Sequence, residues 1–230
     1  MKKEPPANAA ALQDLPYSQM YLLCITDKAG NFNCNDARQI FGLVTSEIVE
    51  LDEAGVISVG RDSAFVAKPL PSTLFWLEPV YRAIEAPFNE NKLKSILSGF
   101  NAVFSQKIAR TVMSLPYEEL LTKGFVEKRK PFFDRYPRYV PKTSASESLL
   151  SLVKAEVEQP MNARLLTMAY ILQISRQLKT VYGANEARLL DKSIRGRVEE
   201  IPNAKTRQAF KQSQATVKAC FYSGSVFGFM

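Results

Sequence analysis

Histidine is absent from all 230 residues, and that removes whole chemistries at once. No Ser-His-Asp or Cys-His nucleophile can form, nor any His-ligated zinc site. Cysteine is nearly as scarce: Cys24, Cys34 and Cys220 are too few and too scattered for a four-thiolate cluster. Their odd number and wide spacing read as reduced thiols of a cytosolic protein rather than a disulfide framework. Phosphate loops are missing too, with no GxxxxGK[ST] and no GxGxxG after a strand. The carboxylate pairs Asp52/Glu53, Glu118/Glu119 and Glu199/Glu200 are adjacent in sequence. Adjacent residues on a helix do not face one another, so the pairs read as polar faces or helix ends. No catalytic residue, metal site or cofactor is expected, and the chain reads as a non-enzyme.

Long apolar runs are lacking as well. The most apolar stretch, Leu165 to Ile174, falls short of the roughly 18–20 residues that span a bilayer. The opening MKKEPPANAAALQDLP has two lysines but no apolar core behind them, so residues 1–16 read as a flexible leader and not a signal peptide. Lys rather than Gly follows Met1, and no Cys stands fourth from the end, which argues against myristoyl and prenyl anchors. Any membrane contact is therefore expected to be peripheral.

Charge is present in excess and is unevenly placed. Residues 1–100 carry 9 Lys+Arg against 12 Asp+Glu, whereas residues 101–230 carry 21 against 11. A basic half attracts a polyanion, either lipid headgroups or nucleic acid.

Apolar periodicity is mostly helical. Tyr17 to Asp27 reads as a helix ending in the turn DKAGN, where Gly30 supplies the permissive backbone. Asn35 or Asp36 could cap the next helix, whose Ile40, Val44, Ile48 and Leu51 share one face. Gly55 ends it, and Val56–Val59 with Ala64–Val66 form a small hairpin. Helical patterns follow over Leu74–Ile84, Asn91–Phe100 and Ala102–Leu115, and Pro116 either breaks the last or begins a new helix at Tyr117. Ser144 or Ser146 could cap a helix that Pro160 closes, and Ala163 to Tyr182 reads as one central buried helix. Residues 219–230 read as an aromatic tail that packs into a groove.

The densest signal is LLTKGFVEKRKPFFDRYPRYV, Leu120 to Val140. A helix end meets Gly124, then a hairpin over 125–140 interleaves Lys128, Arg129, Lys130, Arg135 and Arg138 with Phe132, Phe133, Tyr136 and Tyr139. Cations among aromatics on a projecting turn suit a surface that carries both phosphate and exposed apolar groups. EIVELDEAGVISV and YEELLTKGFVEK are thus two helix–Gly–hairpin units, which also admits a pair of winged-helix-like modules binding nucleic acid. Against that alternative, the first unit is acidic through Glu47, Glu50, Asp52 and Glu53. No helix rich in Arg, Asn or Gln precedes the first hairpin.

Four passages in order resemble the Golgi phosphoprotein 3 family of peripheral membrane proteins, in its bacterial-type form: YLLCITDKAGNF, GLVTSEIVELDEAGVISV, LLTKGFVEKRKPFF and NARLLTMAYILQIS. The resemblance spans roughly Tyr17 to Arg197. It implies a mainly α fold, a helical bundle ringed by amphipathic helices, with short β-hairpins after the two helix–Gly units, as a single domain over 17–218. It implies binding of anionic membrane lipids, phosphatidylinositol 4-phosphate among them, and self-association through the hairpin. By position, Arg110 matches a family arginine, with Lys107 one turn before it and Arg38 on the neighbouring helix as further phosphoinositide ligands. Met113 and Val44 stand where the family has two other arginines, and Cys34 near its tryptophan. Membrane contact is expected from Lys128, Arg129, Lys130, Phe132, Phe133, Arg135, Tyr136 and Arg138.

Overall fold

In a computed structural model, which describes residues 8–33, 36–86, 90–100, 106–130, 137–196 and 201–225, the chain is mainly helical with two small antiparallel hairpins. In chain order the helices are α1 (Ala9–Gln13), α2 (Tyr17–Ile25), α3 (Ala37–Glu53), α4 (Glu78–Glu85), α5 (Leu93–Gly99), α6 (Gln106–Thr122), α7 (Thr143–Glu158), α8 (Ala163–Ile174), α9 (Leu178–Tyr182), α10 (Ala184–Gly196) and α11 (Ala204–Ser225). A 3-10 helix over Ser72–Leu77 leads into α4. The strands are β1 (Ile57–Val59) with β2 (Ala64–Val66), and β3 (Val126–Arg129) with β4 (Arg138–Pro141). Among the described residues no helix is long and apolar enough to cross a membrane.

Helices α2, α3 and α8 form the interior. Every residue of α2 is buried, as is every residue of α3 from Gln39 to Leu51 and of α8 from Leu165 to Leu172. A helix buried on all sides needs neighbours around its whole circumference. α3 has them in α2, α4, α6, α8 and α11.

Both helix–Gly units close in the same way. Asp36 caps α3 by accepting from the Arg38 N–H, and Gly55 ends it with φ +63°. There the Val56 N–H donates to Leu51 O at 2.9 Å and the Gly55 N–H to Asp52 O at 2.9 Å. At the end of α6, Gly124 has φ +76°, and the bonds Phe125 N–H to Leu120 O (2.9 Å) and Gly124 N–H to Leu121 O (3.0 Å) repeat the pattern. This paired closure requires a left-handed residue, which glycine adopts without a Cβ penalty. Each closure sends the chain directly into a strand, with registers Ser58 opposite Phe65 and Lys128 opposite Tyr139.

Several expectations need correction. Part of the leader is folded: Asn8 caps α1, and Leu12 and Leu15 lie in the core. Pro116 neither breaks nor starts a helix, because α6 runs through it from Gln106 to Thr122. Proline forfeits one backbone donor there, but Val112, Tyr117 and Leu120 on either side are buried and hold the turn. Helix α7 begins after Lys142, with no side-chain cap, so Ser144 and Ser146 lie inside it. The long central helix is two. Arg176 takes φ +57° between α8 and α9, and the Gln177 N–H reaches back to Leu172 O at 2.8 Å. A non-glycine residue in that region costs about 1–2 kcal/mol, and nothing in the local pattern announces it. Residues 219–225 of the tail continue α11, which lays Phe210, Ser213, Thr216, Val217 and Cys220 against the body.

Gly42 marks the tightest packing on α3. A Cβ built there would lie 2.1 Å from the Tyr21 hydroxyl oxygen and 2.3 Å from its Cζ, inside a fully buried contact. Gly42→Ala should therefore destabilise the chain by roughly 1–3 kcal/mol despite the better helix propensity of alanine. Urea unfolding monitored by circular dichroism reads this as a lowered midpoint.

Candidate functional site at the second hairpin

The second hairpin is anchored through β4 and free along β3. Tyr139, Val140 and Pro141 are buried, whereas β3 has one buried residue, Val126, followed by Glu127, Lys128, Arg129 and Lys130 all exposed. Successive strand residues point to opposite faces. Four exposed residues in a row give solvent access on both faces beyond Val126, although Lys128 still reaches the body through Glu118.

The anchor is aromatic and ionic. Tyr139 stacks on Tyr117 with ring centroids 4.7 Å apart and planes 3° from parallel. Its hydroxyl donates to Glu118 Oε1 at 2.5 Å, and Lys128 Nζ donates to the same oxygen at 2.5 Å. That ammonium also lies 5.5 Å from the Tyr139 ring centroid, within cation–π range. The hydrogen bonds from Lys128 and then Tyr139 hold the Glu118 carboxyl below its usual range. Tyr117 in turn shares a short hydrogen bond with Thr26, which ties the anchor to the end of α2.

The turn after α2 supports the hairpin from the other side. Asp27 accepts from the N–H groups of Ala29 (2.8 Å) and Asn31 (2.9 Å) and from the Asn31 amide (2.9 Å). Partial burial opposes its ionisation, but those bonds and the nearby Arg138 charge outweigh it and lower its pKa. Gly30, with φ +79°, lies so close to β4 that a Cβ would be 2.9 Å from Val140 Cγ2 and 3.0 Å from Tyr139 O.

Among the expected membrane contacts, Lys128 and Arg129 are exposed and engaged in surface ion pairs with Glu118 and Glu127. Such pairs are worth about 0–1 kcal/mol, so the cations can be exchanged onto another anion. Lys130 is exposed, and Arg138 is half-buried near Asp27. Phe132, Phe133, Arg135 and Tyr136 lie outside the described residues. Of the expected phosphoinositide ligands, Arg110 is half-buried on α6, and Arg38 is exposed in the first turn of α3. Lys107 also belongs to α6, its side chain outside the described residues. Val44, at one family arginine position, is fully buried.

Sequence reasoning missed two things here. Glu118, read as part of a polar face, is the ion that fixes the hairpin root, and its distance of ten residues from Lys128 hid the pairing. Half of the acidity assigned to the first unit, Glu47 and Glu50, is also not on the surface, whereas Asp52 is half-buried and Glu53 exposed. Glu47 is fully buried, Glu50 is 7% exposed, and Glu53 bonds to Tyr17 and Ser213. The available signal was position: Glu47 and Glu50 fall among Val44, Ile48 and Leu51 on the apolar stripe. Trp76, set apart by its position, is buried and donates to Glu50 at 3.1 Å.

No protein-family model matches the chain, and no curated protein matches it either.

Glu118→Ala removes the acceptor shared by Lys128 and Tyr139. Loss of about 1 kcal/mol at this part-exposed site should raise amide exchange in β3 and β4 roughly fivefold. The exchange of α8 amides should stay unchanged, and mass-spectrometric hydrogen exchange distinguishes the two.

Proposed function

We propose that the chain is a non-enzymatic, peripheral membrane-binding module that uses its second hairpin to contact anionic lipid headgroups, on the cytoplasmic side. The observation that carries this reading is the exposed run Glu127–Lys130 at the end of β3, three of whose four residues are cations. The excess of positive charge over residues 101–230 supports it, as does the resemblance to the Golgi phosphoprotein 3 family. Each basic residue near an anionic surface contributes about 1 kcal/mol, so a handful gives reversible, salt-sensitive binding. Phe132, Phe133 and Tyr136 would then reach the acyl boundary, with Arg135 and Arg138 among the headgroups. Self-association through the same hairpin belongs to this reading.

Phosphatidylinositol 4-phosphate is the finer proposal, resting on Arg110 with Lys107 and Arg38. A monoester phosphate is best held by several converging charge-assisted donors. With valine and methionine at two family arginine positions, general anionic attraction outweighs headgroup selectivity in this reading.

The test is sedimentation with neutral vesicles, anionic vesicles and anionic vesicles containing phosphatidylinositol 4-phosphate, at low and high salt. Replacing Lys128, Arg129 and Lys130 by Glu should weaken binding to anionic vesicles by at least about 100-fold, from roughly 1 kcal/mol per lost cation, with the fold intact. Arg110→Ala should reduce the phosphoinositide preference severalfold and leave general anionic binding in place. Equal binding by wild type and the triple variant removes the hairpin as the contact. A second reading, nucleic-acid binding through the two hairpins as wings, is favoured by one observation: burial of Glu47 and Glu50 takes two anions off the first unit. Duplex DNA that binds tightly where vesicles do not would establish it instead.

A further inference from the structure

The interface of α2, α3, α6 and the 3-10 helix holds a polar cluster that the lipid reading does not use. Glu47 is 0% exposed, and among the described residues neither of its carboxylate oxygens has a hydrogen-bond partner. Glu50, one turn on, accepts from the Ser18 N–H (3.1 Å), the Ser18 hydroxyl (3.0 Å) and Trp76 Nε1 (3.1 Å). Gln19 is fully buried with its Nε2 unpartnered, while its Oε1 accepts from Lys123 Nζ at 2.8 Å. Lys123 lies immediately before Gly124, at the root of the hairpin.

A buried carboxylate with no donor and no counter-charge does not stay ionised; it takes up a proton. The charges around the cluster leave Glu47 in that position. Lys123, just past the end of α6, and Arg164 on α8 both act on Glu50. Lys123 is further shared with Glu119, and Arg164 with Glu53 and the carbonyl of Leu15. On α2, Tyr17 is bound to Glu53. Among the described residues the charge that acts on Glu47 is the like charge of Glu50, and burial together with that charge pushes its pKa well up. Burial likewise pushes Glu50 up to about 7, against its bonds to Ser18 and Trp76 and the Arg164 charge.

We propose that Glu47 and Glu50 form a proton-loaded latch at the root of the second hairpin. Neutral, the pair lets α2, α3 and α6 close over it; ionised, it draws in water and pulls the Lys123 ammonium away from Gln19, which disturbs the step from α6 into β3. As control of membrane contact this rests on the lipid reading above, whereas the proton step does not. An anionic membrane surface at about −30 mV lowers the local pH by about half a unit, so the approach to such a surface favours the closed latch.

The sign follows from linkage. Both folded-state pKa values lie above those of the unfolded chain, so stability is fully present below about pH 4.5 and is lost as pH rises. For Glu50 the loss runs from there to about 7, and for Glu47 it continues higher. The missing histidines keep this window clear. Among the described residues the one other carboxyl that is raised is Glu156, which accepts from the N–H groups of Met161 and Asn162.

The experiment is urea unfolding of the full chain from pH 5 to 8 for wild type, Glu47→Gln, Glu50→Gln and the control Glu156→Gln. It is paired with hydrogen exchange over residues 120–129 and sedimentation with anionic vesicles at pH 6 and 8. The wild-type unfolding constant should rise roughly tenfold per pH unit for each proton held. Glu47→Gln and Glu50→Gln should each flatten that rise, and Glu156→Gln should leave their share intact. Exchange at 120–129 should climb with pH beyond its intrinsic base catalysis in wild type, and less steeply in Glu47→Gln and in Glu50→Gln. A wild-type constant that is flat from pH 5 to 7, or a slope untouched by both cluster variants, overturns the latch. If Glu47→Gln does not fold, the wild-type profile and Glu50→Gln decide. A proton-linked slope without vesicle binding sustains the latch and ends the lipid reading. Vesicle binding that is equal at pH 6 and 8 despite the slope overturns the latch as a control of membrane contact.

Discussion

Three carboxylates in the last turns of α3 join the layers of this molecule. Glu50 accepts from α2 and from the 3-10 helix. Asp52 accepts from Thr216 of α11 at 2.7 Å and from the Val59 N–H of β1 at 3.3 Å. Glu53 accepts from Tyr17 of α2 at 2.7 Å, Ser213 of α11 at 2.6 Å and Arg164 of α8 at 3.4 Å. These hydrogen bonds come from elements far apart in sequence. The buried length of α3 and the position of α11 both depend on this acidic end.

The two hairpins begin from the same helix closure and have different surroundings. The first is held along its far side by main-chain bonds, Ala64 N–H to Asn91 O and Leu93 N–H to Asp62 O, both at 2.9 Å. The second is held at its base by Tyr139, Tyr117 and Glu118, and the residues of β3 beyond Val126 are exposed among the described residues. Both hairpins expose side chains: the first shows apolar Phe65 and Val66 on β2, and the second shows the cations Lys128, Arg129 and Lys130. The difference lies in what packs beside each unit rather than in the unit itself. The cluster beneath the second hairpin adds a coupling: Lys123, the last residue before Gly124, is fastened to Gln19 and feels the charge of Glu50.

Much of the scaffold was legible because its signals are local. Gly55 and Gly124 end helices because a left-handed residue is needed there, and β-forming residues follow each at once. Ile40, Val44, Ile48 and Leu51 show their common face by spacing alone. What was misread shares one cause. Glu47 and Glu50 looked like surface charges because a side chain does not state what covers it. Helix α11 is polar in composition, so its buried line of Phe210, Ser213, Val217 and Cys220 did not stand out. The break at Arg176 depends on tertiary bonds: the Ser175 hydroxyl donates to Ile171 O, accepts from Tyr21, and lies next to the Gln177 turn.

By itself, then, the sequence determined the mainly helical class, the two helix–Gly–hairpin units and the concentration of cations at the second of them. Periodicity, glycine and charge count act within a few residues of the chain. Tertiary structure alone decided that α3 has no solvent face between Gln39 and Leu51, that Glu118 pins the hairpin it precedes, and that Glu47 is sealed away without a partner among the described residues. Burial and ion pairing depend on distances between residues remote in sequence, and those distances exist only once the chain has closed on itself.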